Sequence, residues 1–116
     1  LYEEFFTQKY RIASSLHGAP EVYDLKSGQK VKNLAGEDYL AYVTQIGSYI
    51  ITEYVGTTQE RYGILLDENL EEIAYLPGLC DVVDEMLLFD FKSGNLRKCH
   101  LYSLQELIAL GASYNI

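Results

Sequence analysis

Residues 39–77 read YLAYVTQIGSYIITEYVGTTQERYGILLDENLEEIAYLP, four strand-length runs parted by turn residues. Gly47-Ser48 separates Tyr39 to Gln45 from Tyr49 to Val55, and Asp67-Glu68-Asn69 separates residues 61–66 from residues 71–76. Aromatic and β-branched residues fill these runs, which suits a pleated, half-buried surface. The pattern predicts one four-stranded antiparallel meander. Within 49–55, Tyr49, Ile51 and Val55 share one face while Ile50 and Tyr54 share the other. A strand apolar on both faces is buried between layers, so a single sheet open to water is excluded.

The same grammar extends outward. Lys26-Ser27-Gly28 divides Glu21 to Leu25 from Gln29 to Leu34, and Lys92-Ser93-Gly94-Asn95 divides Met86 to Phe91 from Leu96 to Tyr102. Lys-Ser-Gly recurs 66 positions apart. About 41 residues separate the first turn from the second, near the span of a four-stranded propeller blade, and about 25 separate the second from the third. Leu79 to Val83 joins the last hairpin in a following unit, and Gln8 to Ser14 joins the first as the last three strands of a preceding one. The expected class is all-β: consecutive antiparallel meanders forming a partial β-propeller of two to three blades. Residues 1–36 are a partial blade, 37–77 a full blade, and 78–116 a partial blade with a short C-terminal helix. Pro77-Gly78 falls at a junction between units, where a proline without a donor does no harm.

Past residue 102 the periodicity changes. Ser103 lies three residues before Glu106, the spacing of a capping box, with Tyr102 and Leu107 placed for a hydrophobic staple. Leu104, Leu107 and Ile108 make one apolar stripe, and Gly111 is suited to end the helix, which is expected over Ser103 to Leu110.

Four groups of residues carry a family resemblance: Tyr62 to Leu70, Ala74 to Asp81, Phe89-Asp90 with Ser93 to Arg97, and Tyr102 to Leu107. Together they resemble the C-terminal blades of bacterial six-bladed β-propeller proteins of the TolB-like type, over roughly residues 39–110. The resemblance implies an extracytoplasmic or lipoprotein-anchored parent acting as a scaffold. Six blades need well over twice this length, so it implies either a piece of a larger propeller or a piece that associates with copies of itself through exposed strand edges. A first residue of Leu1 rather than methionine agrees with an excised part of a longer polypeptide.

Seventeen acidic residues against nine basic give a net charge of −8, the wrong sign for binding phosphate backbones or an anionic membrane surface. No apolar run approaches the roughly 20 residues needed to span a bilayer, and no basic segment leads into an apolar one at the start. The eleven tyrosines are assigned to strand packing ahead of an aromatic binding face.

Chemistry-bearing residues are sparse. His17 lies in a loop, and His100 alternates with Lys98 and Tyr102 on a strand, where a satisfied surface histidine is expected. Cys80 and Cys99 lack metal or redox spacing and are expected as buried small hydrophobes on strands separated by one other. Asp67, Asn69 and Glu71 mimic the start of a calcium loop, but Glu72 replaces its turn glycine and no glutamate closes it at the twelfth position. Asp81, Asp84 and Glu85 are expected in a solvated turn. No serine elbow or glycine-rich phosphate loop occurs. The sequence therefore assigns no catalytic, cofactor-binding or metal residues. The expected function is a non-catalytic propeller module that binds a protein or small-molecule ligand through loops at its mouth, with the scaffold part of a propeller hydrolase or lyase as the alternative.

Overall fold

The computed structural model describes residues 2–15, 18–34, 36, 38–93 and 95–114. Strands β1 (Tyr2–Phe6), β2 (Tyr10–Ser15), β3 (Glu21–Asp24) and β4 (Lys30–Asn33) form a first sheet in chain order. Strands β5 (Tyr39–Ile46), β6 (Tyr49–Val55), β7 (Arg61–Leu66) and β8 (Glu72–Pro77) form a second. A third contains β9 (Leu79–Val83), β10 (Met86–Ser93) and β11 (Leu96–Ser103), followed by helix α1 (Leu104–Tyr114). Every strand pair is antiparallel and sequential. The chain is all-β apart from α1, and among the described residues no sheet closes into a barrel.

Local chemistry explains the turns. The Asp67 carboxylate accepts the backbone N–H groups of Asn69 at 2.8 Å and Glu71 at 3.0 Å. The Asp24 carboxylate likewise accepts the N–H of Lys26 at 3.1 Å and the hydroxyl of Ser27 at 3.2 Å. Asp84 and Glu85 both have positive φ, the geometry of a two-residue turn whose twist matches that of its strands.

The first sheet contains a fourth strand that the sequence pattern did not predict. Two adjacent acids in Tyr2-Glu3-Glu4-Phe5-Phe6 break the alternation, yet Phe5 pairs with Ile12 and Glu4 meets Arg11 at 2.9 Å. Residues 1–36 thus hold a complete four-stranded unit rather than three strands. Strand β2 begins at Tyr10 because Thr7 turns the chain before it, its N–H donating to the Tyr10 carbonyl at 2.9 Å.

The second sheet is the middle layer. One core joins Ile12, Val22 and Leu34 from the first unit to Leu40, Val43, Ile50, Tyr54 and Leu66 of the second. A separate core joins Ile51, Leu65 and Leu76 to Leu79, Leu87 and Phe89 of the third sheet, with Leu104 and Leu107 from α1. Strand β6 supplies Ile50 to one core and Ile51 to the other, as its two apolar faces predicted.

The chain passes from the second sheet to the third through one residue. Gly78 has φ +83°; its N–H donates to the Arg61 carbonyl at 3.0 Å and its carbonyl accepts the N–H of Asp90 at 2.9 Å. Beside it, Leu79 lies over Gly63 so closely that a Cβ at Gly63 would stand 2.3 Å from a Leu79 methyl.

The capping box forms as predicted: the Ser103 N–H donates to Glu106 Oε1 at 3.0 Å, and the Glu106 N–H donates to Ser103 Oγ at 3.1 Å. Leu104 and Leu107 are buried, whereas Ile108 is exposed, so the stripe is narrower than expected. The helix also passes through Gly111 to Tyr114. A single glycine costs a helix only about 1 kcal/mol relative to alanine, and no proline follows to force a stop. Ser103→Ala is expected to lower stability by about 1 kcal/mol. Urea denaturation measures this, and an unchanged midpoint would show that the cap contributes nothing.

Candidate functional site

Three residue groups build a cleft of ≈ 640 Å³ on the seam between the second and third sheets. The loop between β6 and β7 forms one wall. There the Gly56 N–H donates to the Glu60 carbonyl at 2.8 Å, and the Gln59 N–H to the Gly56 carbonyl at 3.0 Å. The Glu60 carboxylate accepts the Thr58 N–H at 3.1 Å together with its hydroxyl, which holds it below the usual carboxylate range. It folds over Gly56, where a Cβ would stand 1.8 Å from Oε1. A side chain at this position would displace the Glu60 carboxylate.

Tyr75 and Pro77 of β8 supply a second wall, and Cys80, Asp90 and Arg97 of the third sheet supply the last. The Arg97 guanidinium lies on the Asp90 carboxylate. Arg61, from the base of the loop, makes no ion pair among the described residues although it lines the cleft. Four charges of alternating sign therefore face one opening, with an aromatic ring 49 % exposed beside them. That arrangement can accept and donate hydrogen bonds and offer a flat apolar surface, which is the composition of a recognition site.

One buried group adjoins this cleft. Glu53 of β6 is 8 % exposed, and its Oε2 has no hydrogen-bond partner among the described residues. Burial raises its pKa, the Asp81 charge on β9 raises it further, and Arg61 pulls the other way. A carboxyl in such a setting favours its protonated form more than a solvated one does.

Among the described residues most tyrosines are buried or half-buried, as expected from composition. Tyr54, Tyr62 and Tyr75 form a ladder across β6, β7 and β8, with ring centroids 5.3 Å and 5.5 Å apart. The Tyr62 hydroxyl donates to Asp38; burial first, then this bond, raises its pKa. Burial likewise pushes Tyr54 up to about 12. Only Tyr75 carries the ladder to the cleft.

His17 lies outside the described residues. His100 is exposed and stacks on Tyr102 at 6.2 Å. Both cysteines are free, and neither is a buried hydrophobe: Cys99 is exposed and Cys80 is half-buried. The reason is their place in the third sheet, whose buried face is taken by Leu87 and Phe89. Cys99 pairs with Asp90 in the alternate row, and Cys80 occupies the bulge between Leu79 and Asp81. Burial raises the Cys80 pKa, with the Asp90 and Asp81 charges adding to it, so its thiol is no activated nucleophile. Asp67 and Glu71 close a turn by the bonds given above, and Asp84 and Glu85 are exposed turn residues, as expected, whereas Asp81 is exposed on strand β9 and not in the turn. Among the described residues no cluster of three or more His, Cys, Asp or Glu is placed to hold a metal ion, and no helix is long and apolar enough to cross a membrane.

The sequence pattern did not single out Arg61, Tyr75, Asp90 or Arg97, because only the seam brings these separate strands together. Glu53 did leave a signal: it shares the face of Tyr49, Ile51 and Val55, a charge in an apolar row. A second cavity of ≈ 480 Å³ lies between the Gly47-Ser48 turn and the start of α1, lined by Ile46, Tyr49, Met86, Leu104 and Ile108. Lacking the paired charges, it is the weaker candidate. No family model, curated protein or solved structure matches the chain.

Proposed function

We propose that the chain is a non-catalytic binding module of β-propeller type, whose ligand sits in the cleft over Gly78. Three consecutive meanders packed face to face, without crossovers, support the propeller reading. The similarity to TolB-like blades in the turns and strands of residues 39–110 agrees with it. The observation that carries the binding reading is the convergence of Arg61, Tyr75, Asp90 and Arg97 from two sheets on one opening. With Glu60 of the loop counted, two arginines and two carboxylates balance within the cleft, so the favoured ligand is polar and without large net charge, either a protein segment or a small molecule.

Screening the chain against glycan and peptide arrays tests this. Ligands retained by the wild type are expected to be lost by a Tyr75→Ala, Arg61→Ala variant whose melting temperature is unchanged within a few degrees, because both side chains are exposed. Turnover of any array member, or retention that survives both substitutions, would overturn the proposal.

A further inference from the structure

The cleft and the buried carboxyl share one residue. Arg61 lines the cleft, and its charge also acts on Glu53 without pairing with it. Glu53 lies on β6, directly across the ladder from Gly63 on β7 and Tyr42 on β5. The same Gly63 is the residue over which Leu79 of β9 closes the two sheets. The charges that act on Glu53 come from Arg61 of β7 and Asp81 of β9, while Tyr42 contributes a phenol and no charge. A negative charge at Glu53 would thus attract the cleft arginine and repel the strand that forms the far side of the seam.

We propose that Glu53 is a proton-controlled switch for the cleft: protonated, it leaves Arg61 to face the opening and lets β9 close on β7; ionised, it draws Arg61 inward and pushes Asp81 away. The unmatched Oε2 is the geometric mark of such a device. A permanently ionised carboxylate buried to this degree would need a partner, and a permanently neutral one would fill the position less well than an apolar residue. This inference rests on the cleft being the functional opening, but its mechanism concerns the seam and is measurable without a ligand.

The direction with pH follows from linkage. Between the ordinary carboxylate value of 4.5 and the raised value in the fold, folded Glu53 binds more protons than unfolded Glu53. Stability from this group is therefore greatest below that window and is lost as pH rises through the folded pKa. Within the window, the equilibrium constant for opening the seam rises by up to about tenfold per pH unit.

Backbone ¹H–¹⁵N spectra of the full chain from about pH 4 to about pH 8 test the switch. The amides of Arg61, Gly63 and Gly78 are expected to titrate together with a midpoint above 4.5. Glu53→Gln is expected to abolish that transition, Asp81→Asn to lower the midpoint, and Arg61→Gln to raise it. If the seam amides of Glu53→Gln titrate as in the wild type, or the wild type shows no transition above 4.5, the switch is wrong. Should Glu53→Gln not fold, the opposite displacements of the other two variants decide, and shifts in the same direction overturn it. A cleft without a ligand would leave these amide shifts intact while the array screen failed, so the two proposals fail separately.

Discussion

Gly63→Ala is expected to destabilise the chain by about 1–3 kcal/mol, the usual cost of forcing extra atoms into a packed core. The added Cβ would stand 2.3 Å from the Leu79 methyl, so that side chain must shift, and 3.1 Å from the Thr52 carbonyl oxygen, which must give by a few tenths of an ångström. Thr52 belongs to an inner strand of the middle sheet, and Leu79 is 1 % exposed within the second core. Urea denaturation of Gly63→Ala, Leu79→Ala and the double variant measures the effect as a cycle. Leu79→Ala alone removes a buried side chain and is expected to cost about 2–5 kcal/mol. In the double variant the alanine at 79 makes room for the one at 63, so the loss should be smaller than the sum of the single losses. Simple additivity would show that the two positions do not touch.

Ile50→Ala and Ile51→Ala are each expected to cost about 2–5 kcal/mol, although the residues are neighbours whose side chains point to opposite faces. Ile50 is 1 % exposed in the core with the first sheet, and Ile51 is 0 % exposed in the core with the third. The two substitutions should also be separable by amide exchange. Ile50→Ala should weaken protection in β2 and β5, and Ile51→Ala in β9 and β10, as expected where local openings follow separate packing units. If one of the two costs less than about 0.5 kcal/mol, the corresponding face of β6 is open to solvent.

The middle sheet was the most legible part of the chain, for a physical reason. Its strands combine strong periodicity with turn residues whose side chains bond their own backbone, as Asp67 does, so local and tertiary preferences agree. The cap at Ser103 and Glu106 was legible because it depends on residues three apart. Strand β1 was not, since Glu3 and Glu4 conceal its alternation and its pairing partner β2 supplies the ordering contacts. The end of α1 was misplaced because Gly111 only weakens a helix, and the cysteines because burial in the third sheet depends on which row faces α1 and the second sheet. The cleft was illegible for a different reason. Arg61, Tyr75, Asp90 and Arg97 lie on β7, β8, β10 and β11, and only the Gly78 junction and the close approach of Leu79 to Gly63 bring them to one opening. Glu53 was missed although it left a signal, a charge in an apolar row.

Both the cleft and the Glu53 switch depend on the third sheet closing on the second at that approach. A nuclear Overhauser spectrum of the full chain measures it directly. A strong cross-peak between the Leu79 δ-methyls and the Gly63 α-protons is the predicted result. Its absence, with the cross-strand peaks inside both sheets present, would show two sheets that do not close on one another and would contradict the account.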